Sequence, residues 1–293
     1  MRKCRVSNHL NKKSLWGILF VSPAIFGTTV FTFVPFVISI YFSLLDGVAT
    51  QNFIGLSNYR QIFTNGTFQM SLWNTCRFAA IAIPILNLFA MILALLLTRC
   101  KSSLRDSFRS AFIFPLVLPV ASVSLFFQIF FSETGWINSV IEDMGLLGYD
   151  FFYSEKSFWL LVALYVWKNC GYNMILYVAM FESIPKEYYE EAELQGANVL
   201  TRMIYITFPI SVPYLFFIGI ISFVNTFKSF REAYILFGSY PHNSIYMLQH
   251  FLNNNFQSID YIQISTGSII VFGFVFVFVG GVFLLQKRWN ERI

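Results

Sequence analysis

Residues 184–213 read IPKEYYEEAELQGANVLTRMIYITFPISVP, a charged island between two strongly apolar segments. Its first half, Pro185 to Gln195, has helix-forming composition. Pro185 stands where a missing N–H costs least, and Glu187 where a negative charge meets the positive end of a helix. Gly196 reads as a stop, and Asn198 can cap a second short helix that runs through Met203 and Ile206 into the next apolar segment. The island is therefore two helices joined at a glycine elbow. Ala192 and Gly196 are four residues apart and share a face with little side chain on it, while Glu190, Glu191 and Glu193 crowd the rest. Two readings stand at this point: a solvated hairpin that only connects membrane spans, or a docking face for a partner.

The composition decides the surroundings. With 56% hydrophobic and 12% charged residues, and a mean hydropathy of +0.61, the 293-residue chain departs far from the soluble average of roughly 25% charged. Its charges fall in short clusters, so no stretch can form a separate water-soluble domain. The net charge of +5 forms no basic stripe interleaved with aromatics, which argues against nucleic acid. Cys4, Cys76, Cys100 and Cys170 lack CxxC or metal-type spacing, so neither a disulfide framework nor a metal site is expected. His9, His242 and His250 are isolated and suggest no catalytic pair.

Six uncharged or nearly uncharged runs can each cross a bilayer, which takes ~20 residues for ~30 Å. They are 14–45, 71–98, 110–132, about 157–182, about 203–227 and 261–286, with Lys168 inside the fourth. An intramembrane lysine must face protein or water. An even count puts both termini on one side. Of the twenty Lys and Arg residues, that side holds five before the first run, four after the second, two in the island and three at the end. The positive-inside rule makes it the cytoplasmic side. The expected fold is an all-α integral membrane protein of the cell membrane. It has a basic cytoplasmic N-terminus (1–13), a six-span domain (14–286) with the cytoplasmic elbow at 183–205, and a cytoplasmic C-terminus (287–293).

Glu190-Glu191-Ala192, three residues, Gly196, nine residues, then Ile206-Thr207-Phe208-Pro209 resembles the loop signature of permease subunits of binding-protein-dependent ABC importers, Glu-Ala-Ala-x3-Gly-x9-Ile-x-Leu-Pro. The spacing fits throughout; Glu191 replaces an alanine and Phe208 a leucine. Phe53-Ile54-Gly55-Leu56-Ser57-Asn58-Tyr59 and Gly135-Trp136-Ile137-Asn138-Ser139 resemble outer-loop segments of the carbohydrate-uptake branch. Ser239-Tyr240-Pro241 stands where many relatives have Gly-Gly-Pro. The chain is similar to maltose-type sugar permeases with a MetI-like, type I importer domain. That resemblance implies a second permease subunit, two cytoplasmic ATP-binding subunits and an extracytoplasmic sugar-binding protein. ATP and Mg would sit on the partners, with no cofactor and no catalytic residue on this chain.

The same resemblance implies that Glu190, Glu191, Ala192, Gly196, Ile206 and Pro209 couple the chain to an ATPase. By counting from Ile184-Pro185 and Pro241, it carries sugar contacts onto Trp167, Asn169, Tyr172, Ser222, Thr226 and Ser229, with Asn225 beside them. The residue types suit a sugar, which needs hydrogen-bond partners and an aromatic platform. Ser222, Thr226 and Ser229, spaced four and three apart, share one helical face. The competing reading is that these polar residues only hold helices together. Lys168, Lys228 and Arg231 could bind an anionic solute such as glycerol phosphate, or pair with Glu182 and Glu232, as intramembrane charges usually do. A membrane-embedded enzyme would need an acid–base constellation at span depth, and a secondary transporter would show internal repeats; the sequence has neither.

Overall fold

The computed structural model describes residues 12–98, 100 and 102–291. Most of segment 1–13, together with Arg99, Lys101 and Arg292, lies outside them. The described residues are mostly helical. Among the described residues there is no strand, only an isolated bridge between Leu45 and Phe53.

Helix α1 (Lys12–Thr28) passes through a π turn, Thr29–Phe33, into α2 (Val34–Phe42). The wide turn takes up the carbonyl that the Pro35 ring would otherwise strike, so a proline that would break a soluble helix is absorbed. The loop after it is stapled by its asparagine. Asn58 Nδ2 donates to the carbonyls of Ser43 at 3.0 Å and Leu45 at 2.6 Å, which gives the Phe53–Tyr59 segment a structural reason. Helices α3 (Ser57–Thr64) and α4 (Gly66–Thr98) follow, with Asn65 Oδ1 accepting from the Thr67 N–H at 2.9 Å at the start of α4.

The expected third span, 110–132, is two helices in series, α5 (Ser102–Val117) and α6 (Val120–Phe131). Pro119 has ψ 139 and cannot donate to the helix, and the residue before it is pushed out of helical geometry, so the chain breaks there. Helix α7 (Trp136–Asp143) closes the turn after α6, with Asn138 Nδ2 donating to the Ser132 and Tyr149 carbonyls at 2.9 Å each.

Helix α8 (Ser157–Ser183) is the axis of the fold, packed against α4, α5 and the later helices, with more than half of its residues buried. Gly171 lets it close on α5, because a Cβ there would overlap the Phe112 carbonyl. Gly171→Ala is therefore expected to destabilise the chain by about 3 kcal/mol, the upper part of the range for overpacking. Thermal unfolding in detergent checks this against Gly281→Ala, where nothing lies within 4 Å of the added carbon. Equal unfolding temperatures for the two variants would contradict the close approach.

Helices α9 (Lys186–Leu194) and α10 (Val199–Arg202) form the elbow. A second π turn, Met203–Thr207, then leads into α11 (Phe208–Lys228) just before Pro209, repeating the arrangement at Pro35. After a bend at Ser229 come α12 (Phe230–Phe237), α13 (Leu248–Gln257) and α14 (Tyr261–Asn290). The loop before α13 is sewn to α4: Asn74 Nδ2 donates to the carbonyls of Asn243 and Tyr246, and Thr75 Oγ1 accepts from the Leu248 N–H at 3.0 Å.

Among the described residues, five helical stretches are long and apolar enough to cross a membrane: 16–42, 66–98, 120–143, 199–237 and 261–289. Six were expected. Helix α8 has the length, yet Lys168, Asn169 and Asn173 lower its hydropathy, and more than half of its residues are buried against other helices. Positions that face other helices can carry such residues. The outer faces of the bundle are the reverse: Phe20, Phe31, Phe276 and Val277 are all more than two thirds exposed, as a chain solvated by lipid requires.

Candidate functional site

Two regions hold the residues singled out by sequence. The first is the elbow. Gly196 has φ +81, the left-handed conformation that glycine adopts without steric cost. It ends α9 in a Schellman arrangement: the Ala197 N–H donates to the Ala192 carbonyl at 2.9 Å and the Gly196 N–H to the Glu193 carbonyl at 2.9 Å. Asn198 caps α10, its Oδ1 accepting from the Thr201 N–H at 2.8 Å. Arg202 reaches back to Glu193 at 3.0 Å, and the Tyr189 hydroxyl meets Thr207 Oγ1 at 2.9 Å. The two short helices are thus bonded to each other and to the start of α11.

The elbow stands at one end of the bundle over a cavity of about 570 Å³. Glu190, Glu191 and Gly196 are exposed on it, Ala192 is half-buried, and Ile206 and Pro209 lie where the π turn enters α11. Sequence reading missed Leu194, which is 89% exposed at the tip. An apolar residue set among glutamates, EEAEL, was the available signal. Arg105 and Arg109 meet Glu182 at 2.9 and 3.2 Å, so the basic cluster after α4 sits at the same end as the elbow. Glu182 therefore does not pair with Lys168, Lys228 or Arg231, because it lies beyond the end of their layer.

The second region is a cavity of about 590 Å³ between α5, α6, α8, α11 and α12. Asn169, Tyr172, Asn225 and Ser229 line it together with Lys168, Lys228, Arg231 and Glu232. Trp167, Ser222 and Thr226 do not. Trp167 stacks on Phe126 of α6, with ring centroids 6.0 Å apart. Ser222 is fully buried in a polar cluster on the other side of α11. Its Oγ accepts from Asn173 Nδ2 at 2.8 Å and donates to the Ile218 carbonyl, and its own carbonyl accepts from the Tyr165 hydroxyl at 2.7 Å. Asn87 Oδ1 accepts from both Asn173 and the Tyr177 hydroxyl at 3.1 and 2.9 Å, tying α4 into the same cluster. Thr226 donates to the Phe223 carbonyl of its own helix at 2.6 Å. The shared face predicted for Ser222, Thr226 and Ser229 is buried, but only Ser229, at the bend into α12, reaches the cavity. Ser222 holds helices together, each such bond contributing about 0.6 kcal/mol.

Lys168 and Glu232 form a direct ion pair that joins α8 to α12, both side chains nearly buried. Lys228 and Arg231 are exposed at the cavity and have no ion pair among the described residues.

Comparison with known proteins agrees with this architecture. Residues 86–293 match the family described as binding-protein-dependent transport system inner membrane component. A probable starch degradation products transport system permease protein of Thermoanaerobacterium thermosulfurigenes is 28% identical over 96% of this chain and 97% of its own length. An arabinooligosaccharides transport system permease protein of Halalkalibacterium halodurans is 30% identical over 80% of this chain and 75% of its own. A lactose transport system permease protein of Rhizobium radiobacter is 31% identical over 74% of each. Among solved structures, a chain of a bacterial ABC transporter involved in the import of the acidic polysaccharide alginate superposes with a TM-score of 0.83, at 19% identity, over 94% of this chain and 96% of that one. With the signature elbow, the helical membrane architecture and a family match over most of its length, this chain belongs to the inner membrane components of binding-protein-dependent transport systems.

Proposed function

We propose that this chain is the permease subunit of an ATP-driven importer, receiving a sugar or oligosaccharide from an extracytoplasmic binding protein and passing it inward by alternating access. The observation that carries the reading is the elbow. A rigid two-helix piece, locked at Gly196 and fused through a π turn to α11, presents Glu190, Glu191 and bare Leu194 away from the bundle. Such a piece transmits movement of an attached partner into the spans, which is what a two-state mechanism needs. Relatives named for starch products, arabinooligosaccharides and lactose support a sugar as cargo. A structural neighbour was solved in complex with a periplasmic protein bound to alginate pentasaccharide, which supports delivery by a binding protein.

In this reading six helical crossings, α8 among them, leave both termini and the elbow in the cytoplasm. The chain is not itself an enzyme: two ATP-binding subunits hold ATP and Mg, one under the elbow of this chain and one under that of a second permease subunit. Asn169, Tyr172, Asn225 and Ser229 contact the sugar. Co-expression with its neighbouring transport genes tests the assignment. The purified chain is expected to retain a second permease and an ATPase, and Leu194→Asp to release the ATPase while keeping the permease pair. Transport by the purified chain alone would overturn it.

A further inference from the structure

We infer that the cavity at the α8–α12 junction takes the anionic group of an acidic sugar, a carboxylate, sulfate or phosphate, held by Lys228 and Arg231. This rests on the sugar-importer reading and names the class of sugar. Three cations and one carboxylate line the cavity, and Lys168 is neutralised by Glu232. Two positive charges are left without a partner among the described residues.

Their depth makes this informative. Lys168 lies 11 residues from one end of α8 and 15 from the other, about 17 and 23 Å along the helix. Glu232, bonded to Lys168, is held at that level, and Arg231 and Lys228 precede it by one and four residues. Cations near the middle of a bundle cannot all stretch to the headgroups, and charges at such depth are matched by a counter-charge or a water-filled path. A second observation points to a ligand. Glu232 is 5% exposed and lines the cavity, and its buried Oε2 has no hydrogen-bond partner, so the pair is left with an acceptor that a sugar hydroxyl entering at that wall would satisfy. The guanidinium of Arg231 offers a planar fork to a carboxylate or phosphate, and Lys228 a mobile ammonium. Asn225 and Tyr172 on the same walls suit the neutral hydroxyls of the ring. An anionic phospholipid headgroup shares the charged chemistry, and the test separates the two.

The probes are trigalacturonate and its uncharged counterpart galactotriose, titrated calorimetrically into the complete importer in phosphatidylcholine nanodiscs. The acidic trisaccharide is expected to bind at least tenfold more tightly, with the preference falling as salt rises. Lys228→Gln with Arg231→Gln should erase the preference, whereas Lys228→Arg with Arg231→Lys keeps it, which separates lost charge from misfolding. Equal binding of the two sugars, binding of neither, or a preference that survives the Gln pair overturns the inference. So does competition in which phosphatidylglycerol nanodiscs abolish trigalacturonate binding and co-purifying phospholipid is lost in the Gln pair, since the site would then hold lipid. The importer reading fails separately, if no ATPase associates and no sugar of either kind is taken up.

Discussion

Gly196→Leu is expected to lower ATP hydrolysis by the assembled complex, stimulated by its loaded binding protein, at least tenfold. Two costs combine. The residue sits at φ +81, where any Cβ costs about 1–2 kcal/mol, and the two hydrogen bonds that end α9 depend on that conformation. The leucine side chain also projects into open space, since nothing lies within 4 Å of the added Cβ, so its bulk falls on the surface proposed to dock the ATPase. Two further variants separate the costs. Gly196→Asn places a residue that tolerates the left-handed region and should retain most coupling; Gly196→Ala carries the backbone cost with little bulk and should fall between. Stimulated hydrolysis at the wild-type rate in Gly196→Leu would remove the elbow from the mechanism.

The second large effect is at the α8–α12 ion pair. Glu232→Gln leaves Lys168 charged and nearly buried with no counter-charge, and breaking one side of a buried pair costs about 3–5 kcal/mol. The loss should appear as a lower unfolding temperature in detergent and a smaller folded fraction on size exclusion. Removing both charges is different. Lys168→Met combined with Glu232→Leu takes away the uncompensated charge and should recover stability to within about 1–2 kcal/mol of the parent. A Glu232→Gln chain as stable as the parent would mean that water or another group already neutralises Lys168.

The elbow was almost wholly legible in the sequence. Gly196, the Asn198 cap and Pro185 are local signals, and local hydrogen bonds fix them whatever surrounds them. Most of the apolar runs were legible too, because lipid imposes length and composition directly, but 157–182 is not among the five long apolar helices and 110–132 is broken at Pro119. What depends on packing was not. The break at Pro119 and the smooth passage through Pro35 and Pro209 begin from similar sequence, and only the π turns before Pro35 and Pro209 distinguish them. Helical spacing put Ser222, Thr226 and Ser229 on one face, but whether that face meets the cavity or Asn173 and Tyr165 depends on how α11 is rotated and where it bends. Glu182 could not be matched to Arg105 and Arg109 from sequence, because the partners are more than seventy residues apart. The cavity itself needs five helices to exist.

The most direct test of the account is uptake by the four-subunit complex in sealed liposomes, with the loaded binding protein on one face and ATP supplied to either. Sugar should accumulate inside only when ATP is on the face that carries the elbow, opposite the binding protein, and Gly196→Leu should abolish it. Accumulation without ATP, or with ATP and the binding protein required on the same face, would contradict the account.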